Sequence, residues 1–151
     1  MKLNRDIKIL IGLGVLASIS VVLYWLAWFI EPSLVQTNSP QAHDYVLYVD
    51  FQQAFILADA WFSISAMSAA VGLWRRRPWG LLFTFLGGGS AVFLGLLDLL
   101  YDLQHGVFSW PLSSSAVTEF AIVAFLLTLG PLSIILSWRL CLLMAKRPEH
   151  S

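Results

Sequence analysis

Charged residues are scarce in this chain of 151 residues, and cysteine is nearly absent. Only 12% of the residues are Asp, Glu, Lys or Arg, whereas 58% are hydrophobic and the mean hydropathy is +0.76. A soluble domain of this length needs a larger polar surface, so the composition indicates a membrane protein instead. The single cysteine, Cys141, has no partner for an intrachain disulfide, which excludes disulfide exchange within the chain.

Motifs of the common enzyme classes are also missing. The chain has no HExxH or CxxC pattern, no histidine cluster and no phosphate-binding loop. Residues 88–92 read GGSAV and therefore lack the closing glycine of the G-x-S-x-G nucleophile elbow. The sequence thus identifies neither a cofactor nor a catalytic nucleophile.

Long apolar runs dominate what is present. Four of them are long enough to cross a bilayer as a helix, which takes about 20 residues, and no linker or repeat separates them. We therefore predict a single domain of the all-α integral membrane class, with four transmembrane helices packed as a compact bundle. The predicted helices cover Ile7–Ile30, Val46–Trp74, Trp79–Gln104 and Ser113–Ala145.

Basic residues are confined to one side of this predicted bundle. All nine occur at the start of the first segment, between the second and third, or at the end of the fourth: Lys2, Arg5, Lys8, Arg75, Arg76, Arg77, Arg139, Lys146 and Arg147. By the positive-inside rule this side is cytoplasmic, so both termini of a plasma-membrane protein are expected inside. The run 75–77 is interpreted as a topology anchor that attracts anionic lipids, and no nucleic-acid binding is expected.

The third predicted helix gathers its small and polar residues on one face. At 3.6 residues per turn the face spans an arc of about 80°. Its members include Gly87, Ala91, Gly95, Asp98, Asp102 and His105. Small residues allow a neighbouring helix to approach closely, so this face is expected to pack inside the bundle, or else against another protein.

The other predicted helices direct polar groups inward as well. Tyr48, Gln52 and Asp59 share a stripe on the second helix, and Glu119 lies on the small-residue face of the fourth. Trp25 belongs to a weaker face on the first helix. Because the carboxylates come from the outer half of the bundle, we predict an acidic cavity that opens outward, with Asp59 at its floor.

These acids have no Lys or Arg in their half of the bundle. An ionised aspartate at the bilayer centre costs about 2.5–3.5 kcal/mol on insertion scales, so such a group needs a proton, water, a bound cation or a cationic ligand. The leading hypothesis is binding, with or without translocation, of a cationic or amphiphilic small molecule or ion. The predicted ligand-binding residues are Asp59, Glu119, Asp98, Asp102, His105, Gln52, Trp25 and Tyr48.

Several alternatives stay open at this point. Asp59 would be a neutral structural group if Gln52, Ser63 and Ser133 completed a hydrogen-bond network around it. Asp98, Asp102 and His105 would hold Zn²⁺ or Fe²⁺ if their side chains converged. The same acids would serve an enzyme that transfers protons on a lipid-like substrate. Finally, the chain would be an accessory subunit of a larger membrane complex if its small-residue face met another protein. A bundle of this size is small for a solitary carrier, so a central pathway would need a homo-oligomer.

Overall fold

Four long helices form the structure, a computed structural model that describes residues 5–31, 49–108, 110 and 114–145. The helices are α1 (Arg5–Ile30), α2 (Ile56–Trp74), α3 (Trp79–Gln104) and α4 (Ser114–Ala145). Each is long and apolar enough to cross a membrane, and the described ranges contain no strand. The predicted all-α fold with four candidate membrane spans is thereby confirmed.

A tight turn joins α2 to α3. The amides of Arg76 and Arg77 donate to the carbonyls of Leu73 and Gly72, at 3.1 and 2.8 Å, which is the pattern of a Schellman helix ending. Arg76 takes a left-handed φ of 55° at the position where glycine is usual. An arginine there costs about 1–2 kcal/mol in backbone strain, so the close packing of the two helices must offset it.

The helices pack in chain order. Extensive interfaces join α1 to α2, α2 to α3 and α3 to α4, whereas α1 and α4 touch at only a few positions. The first and last helices meet at the basic end of the bundle, where Arg139 lies 3.7 Å from Asp6. The result is a ring of four helices that is nearly open along the α1–α4 edge.

The small-residue face of α3 packs against α2 and α4 of the same chain. A side chain added at Gly87 would contact Ser65 and Ala66 of α2, and one added at Gly95 would meet Leu126 of α4. Ala91, between the two glycines, is completely buried. This face is therefore an interface within the chain and is not available to another protein.

The second helix differs from its prediction. Residues 49–54 are helical, Phe55 forms a turn and α2 begins only at Ile56, while residues 46–48 lie outside the described ranges. The amide of Phe55 donates to the carbonyl of Gln52, three residues back, at 3.0 Å, which is a tighter winding than an α-helix. The ring of Phe55 is buried in the main core, and neither glycine nor proline marks the break.

Candidate functional site

A cavity of about 450 Å³ lies along the nearly open edge of the ring. Most of its wall comes from α1 and α4, the two helices that barely touch. The segment around the Phe55 turn and the first turns of α2 supply the back, and α3 contributes a single side chain, Asp98. The gap between the first and last helices is thus not filled by their own side chains.

Four of the predicted site residues line this cavity together: Gln52, Asp59, Asp98 and Glu119. These four residues lie at a similar level along the bundle axis. Gln52 and Asp59 lie on either side of the start of α2, whereas Asp98 is near the end of α3 and Glu119 is near the start of α4. Asp98 lies within electrostatic range of Glu119, Asp59 and Asp102. No Lys or Arg is among the described lining residues, so the negative charge has no basic side chain in the cavity wall.

A tryptophan supports the carboxylate of Asp59. The indole nitrogen of Trp25 donates to Oδ2 of Asp59 at 3.0 Å, and the phenol of Tyr24 donates to Oε1 of Gln52 at 3.4 Å. Trp25 is buried, whereas Asp59 is half-buried beside the cavity. The indole is neutral, so this hydrogen bond holds one oxygen of Asp59 in place without supplying a counterion.

The hydrogen-bond network considered for Asp59 is not the one that forms. Ser63 pairs with Ser18 of α1 through their hydroxyl groups at 2.9 Å, and its hydroxyl also lies 3.4 Å from the Ser18 carbonyl. Ser133 does not line the cavity that holds Asp59. Two serines therefore tie α1 to α2 below the acidic site, and the indole of Trp25 takes the place that sequence reasoning gave to hydroxyl groups.

The Trp25–Asp59 bond yields a test of the local geometry. Trp25→Phe removes the donor, and a double-mutant cycle with Asp59→Ala is expected to give a coupling free energy of about 1.5–3 kcal/mol, the usual range for a hydrogen bond to a charged group. The measurement is reversible unfolding in detergent. Trp61→Phe is the matched control, because Trp61 is exposed on α2, and it is expected to be nearly neutral. Zero coupling between Trp25 and Asp59 would contradict the bond.

The opposite end of the cavity is apolar. Along α1 the lining extends from Tyr24 to Leu16, and along α4 from Thr118 to Leu126. Each stretch covers eight residue steps, which is about 12 Å of helix rise. Phe62 closes the deep part. The cavity is therefore elongated along the helices, acidic at one end and hydrocarbon-lined at the other.

Asp102 and His105 lie apart from the cavity lining. Asp102 is buried, with 4% of its surface exposed, and its Oδ2 has no hydrogen-bond partner among the described residues. His105 is exposed and stacks on Tyr101, with ring centroids 4.0 Å apart, while its Nδ1 lies 2.8 Å from the Tyr101 carbonyl oxygen. Tyr48, the remaining predicted site residue, lies outside the described residues.

The metal site considered for Asp98, Asp102 and His105 does not form. Within the described parts of the chain no three acidic, histidine or cysteine side chains are grouped as metal ligands would be. The arc that these three residues share on the helix determines only the direction in which their side chains point. Asp98 and His105 are separated by seven residue steps, about 10 Å along the helix axis, which is too far for one ion.

Sequence reasoning missed several lining residues, among them Tyr24, Thr118 and Phe125. They line a cavity because α1 and α4 stay apart. Comparison with known proteins adds no relative, since no protein-family model, no curated protein and no solved structure matches this chain.

Proposed function

We propose that this chain is a multi-pass membrane protein that binds a cationic amphiphile in the α1–α4 cavity. In this proposal the basic end of the bundle faces the cytoplasm and the acidic end faces outward, as the positive-inside rule favours. The supporting observation is a cavity with three carboxylates, Asp59, Asp98 and Glu119, and no basic side chain among the lining residues that the structure describes. A positively charged head group would supply the missing counterion.

The shape of the cavity favours an organic ligand over a bare ion. Its volume of about 450 Å³ falls within the roughly 300–1,000 Å³ of small-molecule pockets. Half of its length is lined by hydrocarbon, which gives an inorganic cation nothing to bind. Tyr24 and Phe55 flank the acidic end and add aromatic surface that attracts organic cations. A ligand with its head group beside the acids and its apolar body beside Phe62 would fit both ends of the cavity.

The decisive comparison is thermal unfolding in detergent with and without a long-chain amine such as dodecylamine. At 100 times Kd a ligand stabilises the folded state by about 2.7 kcal/mol. For a chain of this size that is a rise in Tm of roughly 5–10 °C. We expect the rise in the wild type and its loss in Asp59→Asn. The ligand-free variant should be about as stable as the wild type, because the loss of one repelling charge offsets the weaker hydrogen bond that an amide oxygen accepts from Trp25.

Asp50→Asn is the matched control, since it makes the same chemical change at an exposed position in the segment that precedes α2. This variant should respond to dodecylamine as the wild type does. Inorganic cations tested in the same series are expected to give no comparable rise. If no amine stabilises the wild type, or if Asp59→Asn responds fully, the cavity does not use Asp59 to hold a cation and the proposal fails.

A further inference from the structure

The cavity reaches the outer surface of the bundle through the α1–α4 edge. Four of its lining residues are exposed to the surroundings of the helices, namely Leu16 and Ser20 on α1 and Thr118 and Ala121 on α4. We call the gap between these four residues the side slot. Three of the four are small, so the slot is bordered by little side-chain volume. In a membrane this surface faces the hydrocarbon of the lipids.

Packing around the side slot is loose compared with the rest of the bundle. The α1–α4 interface is by far the smallest between neighbouring helices, and α1 is the least buried of the four helices. The other edges are closed by backbone approach. For example, a Cβ at Gly14 would lie 2.7 Å from the carbonyl oxygen of Ala66, and one at Gly130 would lie 2.8 Å from that of Gly88. Movement of α1 against α4 therefore breaks few contacts.

We infer that the ligand reaches the acidic cavity sideways from the bilayer, through the side slot, and that its class is a single-chain cationic lipid. This inference rests on the proposed function and extends it to the route and the substrate class. The head group would bind beside Asp59, Asp98 and Glu119, and the chain would lie against the deep apolar end of the cavity. A ligand from water would need no opening toward the lipids.

The depth of the acids suits such a route. Glu119 lies five residues from the start of α4, and Asp98 six residues from the end of α3. At about 1.5 Å per residue these positions are roughly 8–9 Å from the helix ends. A charged head group held near the membrane surface, as in snorkelling side chains, would move parallel to the membrane. It would not have to cross the hydrocarbon centre to meet the carboxylates.

The test measures association and dissociation rates of radiolabelled dodecylamine with the full chain in phosphatidylcholine nanodiscs. Ala121→Phe narrows the slot and is expected to slow both association and dissociation by about tenfold or more. Ala124→Phe is the matched control, because Ala124 is exposed on the same helix but does not line the cavity. Its rates should equal those of the wild type. Ser20→Phe repeats the test from α1.

The outcomes separate the route from the site. Unchanged rates in Ala121→Phe and Ser20→Phe, with normal binding, would overturn the side slot while leaving the proposed function intact. Faster dissociation alone would show that these residues only contact the ligand, which also overturns the route. Butylamine, which has the same head group and a short chain, should associate far more slowly in the wild type; equal rates would indicate access from water. No binding of dodecylamine at all would remove the proposed function itself.

Discussion

Gly80→Ala is expected to destabilise the protein more than any other single added methyl group on α3. The new Cβ would lie 2.5 Å from the backbone nitrogen of Leu73 and 2.6 Å from the carbonyl carbon of Gly72. Both are backbone atoms of α2, so no side-chain rotation relieves the overlap. Overpacking usually costs about 1–3 kcal/mol. We expect a loss of about 3 kcal/mol or more here, because α2 and α3 must separate next to their connecting turn.

Gly89→Ala provides the control on the same helix. A Cβ at Gly89 meets nothing within 4 Å, and the position is exposed. Alanine is a better helix former than glycine by about 0.5–1 kcal/mol, so this variant should be slightly more stable than the wild type. Thermal unfolding in one detergent measures both variants. Equal melting temperatures for the two alanine variants would mean that α2 and α3 do not meet at Gly72 and Gly80.

Gln52→Lys is expected to abolish ligand binding while stabilising the empty protein. Gln52 is buried beside the cavity, with 8% of its surface exposed, in the same wall as Asp59, Asp98 and Glu119. An ammonium group there would be the counterion that the cavity lacks. Opposite charges about 4 Å apart at an effective dielectric constant near 20 attract by about 4 kcal/mol. Part of that attraction is lost to desolvation of the lysine, so a net gain of about 1–2 kcal/mol is the expected size.

The ammonium group introduced by Gln52→Lys would also compete with any cationic ligand for the carboxylates of the cavity. We expect the affinity for dodecylamine to fall at least about a hundredfold, equivalent to 2.7 kcal/mol at 1.36 kcal/mol per tenfold. Gln53→Lys is the matched control, since Gln53 is the next residue, exposed and outside the cavity wall. It should leave both stability and affinity nearly unchanged. A Gln52→Lys protein that binds dodecylamine normally would show that charge pairing is not what recognises the ligand.

Periodicity made the spans and the acidic wall predictable. Apolar runs of sufficient length defined all four helices, and the spacing of Gln52, Asp59, Asp98 and Glu119 placed them on inward faces, because side-chain direction follows from position along a helix. The Phe55 break was not predictable in this way. The tight turn accompanies burial of the Phe55 ring, and the sequence around it contains no glycine or proline that would predict a break.

The other features that the sequence did not predict depend on how the helices are placed relative to one another. The Trp25–Asp59 hydrogen bond depends on how α1 is rotated and shifted against α2, and no local pattern contains that information. The gap between α1 and α4 is likewise a property of the whole ring. Asp98 and His105 share a face, yet axial distance separates them. The pattern of polar and apolar residues along a helix indicates which side chains point inward. It does not establish which side chains of different helices contact each other.

The chain-order packing of the ring has a consequence for biosynthesis. Every extensive interface joins consecutive helices, so each new helix can pack on its predecessor as soon as both are in the membrane. The carboxylate cavity is different, because Glu119 and much of the wall belong to α4. A nascent chain that has inserted α1, α2 and α3 would hold the α1–α2 and α2–α3 interfaces, but not the α3–α4 interface or the core residues that α4 supplies. The proposed ligand could therefore be recognised only when translation delivers the fourth helix.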